Sequence, residues 1–293
     1  MTGATAPSDP AFAVSRLRDD ELDGAQALVA EAGWNQVAAD WRIFQNLGTV
    51  YAMRGPAGQL VATAATLPYG DRFAWISMVL VAGDQRRRGL ATRLLGRCLD
   101  DLVEINLVPV LDATADGRPI YRALGFHDAW GFHRWARRAP QSDQPMMADG
   151  LAIEPVGDAV WPALLRYDAQ VFGADRGAVL SALRGRPSTA ALCARRQGEI
   201  AGFVLARDGR SARALGPLIA DDDAIARTLV SRALAATAGP VCIDLADVKS
   251  GIAAWLGSVG FAPQRPFTRM LHRRHASFDD VARTFAVAGP EFG

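Results

Sequence analysis

The sharpest chemical signal in this chain is the run Val79-Leu80-Val81-Ala82-Gly83-Asp84-Gln85-Arg86-Arg87-Arg88-Gly89-Leu90-Ala91. An apolar segment enters a basic, glycine-containing turn. It leaves as an amphipathic helix, with Leu90, Leu94, Leu95, Leu99, Leu102 and Val103 at three- and four-residue spacing. The first turn of a helix presents amides with no intrahelical acceptor and a partial positive charge, so an anion is favoured there. Gly89 and Ala91 let those amides approach a phosphate oxygen closely. Flanking arginines add charge-assisted hydrogen bonds of about 1.5–3 kcal/mol each before screening. No Gly-Lys-Ser/Thr follows the turn, which excludes a P-loop, and a single glycine in the turn excludes the dinucleotide fingerprint. The same residues also fit a solvated turn that merely caps a helix, or a basic patch touching RNA or a membrane surface.

The elements around this turn have their own pattern. Leu22–Ala32 and Ala38–Leu47 read as helices split by Gly33-Trp34-Asn35. Val50–Arg54 and Gln59–Leu67 read as a hairpin across Gly55-Pro56-Ala57-Gly58, and Phe73–Val81 as a third strand. After the long helix come a short buried strand, Val108–Ala113, a helix ending at Leu124 before Gly125, and a strand Phe126–Arg137 that closes the sheet. The fold class is α/β with a mixed sheet. A break at Ala139–Gly150 marks a linker, and the second half repeats the first in outline. Leu124-Gly125-Phe126 corresponds to Val259-Gly260-Phe261, and Trp135 to Met270. The expected units are residues 1–138, a linker 139–150, a second domain 151–275 and a tail 276–293 with a short helix at Asp279–Val287.

Composition sets the outer limits. The chain has 293 residues and a net charge of +1, from 32 basic and 31 acidic side chains, which disfavours a nucleic-acid partner. No apolar run is long enough to span a bilayer, and Met1–Ala13 reads as a frayed tail rather than a secretory leader, so a cytoplasmic protein is expected. Cys98, Cys193 and Cys242 are far apart and read as buried reduced thiols, and the four histidines make no zinc spacing with them, so no metal is expected.

Arg86, Gly89 and Ala91, set between an apolar strand and an amphipathic helix, resemble the Arg/Gln-x-x-Gly-x-Gly/Ala motif of the GNAT acetyltransferases. Ile120-Tyr121-Arg122-Ala123-Leu124-Gly125-Phe126 resembles the segment of that family in which a helical tyrosine precedes a Gly-Phe pair. The resemblance covers residues 12–137 and implies two tandem GNAT-like domains, as in bacterial tandem GNAT proteins. It implies acetyl-CoA as co-substrate and transfer of an acetyl group to a primary amine of a small molecule or peptide. Amides of Arg86, Arg87, Arg88, Gly89, Leu90, Ala91 and Thr92 would take the pyrophosphate. Backbone groups of Val79, Leu80 and Val81 would bind the pantetheine arm, where the central strand parts from its neighbour. A backbone amide at Leu80 or Val81 would stabilise the oxyanion, and Tyr121 would protonate the leaving sulfur. Trp34, Asn35 and Trp41 border the expected acceptor pocket, although each also suits core packing or helix capping. Glu31, Asp40, Asp71 and Asp112 are open candidates for the base. Exposed strand edges in this superfamily commonly pair, which admits a homodimer. A non-catalytic acyl-CoA sensor is the alternative from another class.

The second half lacks both motifs. After its third strand stands Ala220-Asp221-Asp222-Asp223-Ala224, whose carboxylates repel a pyrophosphate, and Leu256 takes the place of Tyr121. This half is expected not to bind CoA and either to complete the acceptor pocket or to stabilise the first domain, with Asp244, Asp247 and Lys249 as polar candidates for a shared cleft.

Overall fold

The computed structural model describes residues 12–138, 145–186 and 190–293. Most of the expected N-terminal tail and the linker residues 139–144 lie outside the described residues. The first half runs β1 (Ser15–Arg16), α1 (Leu22–Glu31), α2 (Ala38–Leu47), β2 (Thr49–Arg54), β3 (Leu60–Tyr69), β4 (Phe73–Val81), α3 (Leu90–Glu104), β5 (Val108–Thr114), α4 (Arg118–Ala123) and β6 (Phe126–Arg137). The second runs β7 (Leu151–Pro155), α5 (Trp161–Phe172), α6 (Gly177–Arg184), β8 (Ala191–Arg196), β9 (Glu199–Arg207), β10 (Arg213–Ala220), α7 (Asp223–Ala235), β11 (Val241–Ala246), α8 (Ser250–Ser258), β12 (Ala262–His272) and β13 (Thr284–Ala286).

The strands form one mixed sheet in the order β1-β2-β3-β4-β5-β12-β6-β11-β13-β10-β9-β8-β7. Sequence pattern led to the expectation that β6 closes the first half's own sheet. Instead the halves exchange their last strands. β12 lies antiparallel to β5, β6 lies antiparallel to β11, and β6 and β12 pair with each other at the centre. Alternation specifies which face of a strand is buried, but not which neighbour it joins.

Two buried ion pairs fix the exchanged register. Arg269 of β12 stands opposite Asp112 of β5, and Arg134 of β6 opposite Asp244 of β11. Each guanidinium grips its carboxylate with two hydrogen bonds, at 2.9 and 2.9 Å for Arg269 and 2.8 and 2.7 Å for Arg134. Arg134 and Arg269 are equivalent positions of the repeat, in the same alignment that matches Trp135 with Met270, and each is met by an aspartate on the strand it joins.

Asp279–Val287 contains no helix; Thr284–Ala286 is strand β13, inside the sheet between β11 and β10. The last residues then cross to the first half. Trp75 Nε1 donates to the Pro290 carbonyl at 3.1 Å and Tyr69 Oη to that of Phe292 at 2.7 Å, while Phe292 stacks on Phe44 at 5.2 Å. A segment expected as a tail with a short helix is therefore part of the core.

Met270 of β12 is fully buried among Leu94, Leu95, Cys98 and Phe126 of the first half. Met270→Ala should cost about 2–5 kcal/mol. Because the halves share strands, calorimetry should record one unfolding transition for wild type and variant; two separated transitions would contradict the exchange.

Candidate active site

β4 and β5 run parallel and paired only through Phe73↔Val108, Ala74↔Pro109 and Trp75↔Val110; beyond Trp75 the two strands part. A bulge in β4 accompanies the parting. Thr63 opposes Leu80 and Ala65 opposes Ser77, so Met78 and Val79 together face Ala64, and Met78 takes a positive φ of 53°. The Thr63 hydroxyl, buried in β3, donates to the Met78 carbonyl at 2.8 Å and satisfies it. A cavity of about 100 Å³ occupies the gap, with Ser77 and Val79 on one side, Asp112 on the other and Tyr121 beside them.

The basic turn lies just past β4. Glu31 Oε1 accepts from the Gly83 amide at 2.7 Å and anchors its start, so this base candidate has a structural task. Gly89 caps α3 with φ 75° and ψ 8°, a left-handed conformation that suits glycine. The first amide to bond back into α3 is that of Arg93, to the Gly89 carbonyl at 3.1 Å. The amides of Arg87 to Thr92 have no hydrogen-bond partner among the described residues. Arg86, Arg87 and Arg88 are exposed; Arg88 lies over the Phe12 ring at 4.6 Å. The turn is thus a cluster of unpaired donors under three cations, which fits an anion with several oxygens.

Tyr121 reaches the cavity from α4, its ring edge-on to Phe126 at 6.0 Å. Burial pushes its phenol up to about 12, so the hydroxyl keeps its proton at neutral pH. The Ala82 amide donates to Val61 on β3, and alternation turns the Leu80 amide to that same side and the Val81 amide toward the gap. Of the two amides expected to face an oxyanion, only that of Val81 is turned to the gap.

Other expected site residues separate. Trp34 lines the cavity. Trp41 is wholly buried in the core and does not border the cavity. Asn35 ties the halves together, accepting from the Ser211 and Ala212 amides and donating to the Ala212 carbonyl at 2.8 Å. Asp40 accepts from the Val37 amide and from Arg186 and Arg207, entirely buried. Asp71 is exposed in a turn. Asp112 lines the cavity but is held by Arg269, and burial pushes its carboxyl up to about 6 against that pairing.

In the second half the equivalent helix start is already satisfied: Asp222 Oδ1 accepts from the Ile225 amide at 2.9 Å and Oδ2 from Arg196 at 2.7 Å. The equivalent gap, beyond Leu215↔Ile243, is filled by β13. A Cβ on Gly216 would run into the Val287 carbonyl, so glycine there lets the tail pass. Of the polar candidates, Asp244 reaches the cavity through Arg134, Asp247 meets His133 at 2.6 Å, and Lys249 covers the Phe285 ring at 3.9 Å. Sequence reasoning missed Gln36, Ser77 and Glu291, which all line the cavity. No motif marks them; only the bulge and the path of the tail bring them together.

Among the described residues no group of three His, Cys, Asp or Glu side chains is placed to hold a metal ion, and no helix is long and apolar enough to cross a membrane. Residues 16–132 match the acetyltransferase (GNAT) family and residues 164–286 an acetyltransferase (GNAT) domain. The chain is 24% identical over 247 residues to the uncharacterized N-acetyltransferase YitH of Bacillus subtilis (strain 168), covering 84% of this chain and 86% of that protein. Its fold is similar to a Pyrococcus horikoshii protein assigned as an acetyltransferase, with TM-score 0.78, 19% identity, and 100% and 99% of the two chains covered. It is also similar to a tandem GNAT protein from the clavulanic acid biosynthesis pathway, with TM-score 0.67, 16% identity, and 89% and 98% covered. With each half matched in its own right and the parted strands in place, the chain belongs to the GNAT family as a tandem N-acetyltransferase.

Proposed function

We propose that the first half moves an acetyl group from acetyl-CoA directly to a primary amine of a small molecule or peptide. The observation that carries this reading is what stands at the two ends of the parted stretch of β4. Unpaired amides at Arg87–Thr92 stand at the end of the strand whose parting from β5 opens a cavity holding Tyr121. The pyrophosphate would lie on those amides beneath Arg86–Arg88, and the pantetheine arm along Val79–Val81.

The chemistry follows from what the residues present. The Val81 amide, turned to the gap, would donate to the carbonyl oxygen as it gains negative charge. Holding amine and thioester together in one cavity supplies a large share of the acceleration. Against a free thiol near 8.5, a phenol pushed up to about 12 gives up its proton uphill, by roughly 5 kcal/mol. Tyr121 therefore acts first as a hydrogen-bond donor to the developing thiolate. It completes the transfer only as the departing sulfur becomes basic. The second half would contribute structure and acceptor recognition, since its own helix start and gap are filled by Asp222 and β13.

Acetyl-CoA titrated calorimetrically into wild type should bind in the micromolar range. Gly89→Glu, which puts a carboxylate where the anion would sit and strains a left-handed position, should weaken this by about 100-fold or more. No binding by wild type would overturn the reading, and binding that survives the substitution would move the site elsewhere. Tyr121→Phe should lower kcat by about 10²-fold with the acetyl-CoA Kd unchanged; unaltered turnover would remove Tyr121 from the chemistry.

A further inference from the structure

Three side chains that line the cavity each carry a buried polar atom with no hydrogen-bond partner among the described residues: Gln36 Oε1, Ser77 Oγ and Glu291 Oε2. Their residues are 5%, 9% and 2% exposed. Unpaired buried polar groups are uncommon in folded proteins, and three around one space point to a missing donor. They come from distant places: Gln36 precedes α2, Ser77 precedes the bulge of β4, and Glu291 is carried across from the second half behind β13. Each can accept a hydrogen bond, and one is a carboxylate.

The surrounding charge is largely paired within the protein. Asp208, Arg186, Asp40, Arg207 and Glu291 form a buried-to-surface chain of alternating sign with a carboxylate at either end. Glu291 Oε1 takes the Arg207 contact and leaves Oε2 open. On the other walls, Arg134 is neutralised by Asp244 and Asp112 by Arg269. Arg265, a cation that lines this cavity and a second one beside it, lies over the Phe267 ring at 5.4 Å.

We infer that this cavity is a subsite for a primary ammonium group, with Gln36 Oε1, Ser77 Oγ and Glu291 Oε2 receiving its three N–H donors. This rests on the acetyl-transfer reading and names the group that the acceptor presents. Proton transfer to Glu291 Oε2 breaks one N–H bond, forms one O–H bond and leaves the electron pair on nitrogen. The neutral amine keeps its N–H bonds to Gln36 and Ser77 with its lone pair on the Glu291 side, and attacks once it turns that pair from the carboxyl to the thioester carbon.

The test is ligand-observed NMR on the full chain with propylammonium chloride and, as an isosteric control, 1-propanol. Acetyl-CoA affinity is measured on the same samples. Propylammonium should bind and propanol should not. Glu291→Gln should weaken propylammonium by about tenfold or more while leaving acetyl-CoA affinity unchanged. Ser77→Ala and Gln36→Leu should each weaken propylammonium by a smaller factor, and they decide the matter if Glu291→Gln does not fold. Equal binding of alcohol and ammonium, or propylammonium affinity unchanged in these variants, overturns the subsite. Absence of propylammonium binding beside intact acetyl-CoA binding overturns it too. Absence of acetyl-CoA binding alone overturns the transfer reading instead.

Discussion

Everything in this molecule hangs on two buried arginine–aspartate bridges at the centre of its sheet. Arg269–Asp112 and Arg134–Asp244 each cross from one half to the other, with side chains 7% exposed or less. A buried ion pair adds little net stability over a well-packed apolar pair, but leaving one partner unpaired costs about 3–5 kcal/mol. Its effect here is therefore on register. A one-residue slip of β12 against β5, or of β6 against β11, would strand a charge in the core and turn every side chain of the strand to the wrong face. The bridges hold β6 and β12 in exchanged positions and so bind two repeats into one sheet.

That exchange explains how the halves diverged in use. Both open a gap where two parallel strands part, beyond Trp75 in one and Leu215 in the other. In the first, the gap is a cavity. In the second, β13 pairs with both flanking strands and closes it, and Asp222 satisfies the start of the following helix. The filling strand has a further consequence. It sets the direction in which residues 287–293 leave the sheet, and that direction leads to the first half's cavity wall at Pro290 and Glu291.

Much of this was legible in the sequence because it is local. Hydrophobic period located β4, α3, α4 and β6 to within a residue or two, and the basic turn identified itself by composition. The acidic run at Asp221–Asp223 correctly signalled a helix start with its own anion. What was not legible is long-range. The strand exchange depends on charges far apart in sequence, and Asp112 and Asp40 read as free carboxylates until their arginine partners are seen in space. The tail misled for a related reason. Thr284–Ala286 is three residues long, too short to show a period, and its strand character comes from two waiting neighbours rather than from itself.

The same logic sets the acceptor side of the cleft apart from the donor side. The proposed phosphate turn is made from one continuous segment, so a short motif encodes it. The proposed acceptor cavity is assembled from a loop before α2, a bulged strand and a segment from the other half, so no motif can encode it. Its geometry depends instead on the buried chain Asp40–Arg207–Glu291, which ties an N-terminal helix, a second-half strand and the final residues together. A change on any of the three would be felt by the acceptor and not by the anion at the turn. On the proposed reading, acceptor preference can therefore drift while the phosphate turn stays fixed, because the two proposed sites draw on different parts of the chain.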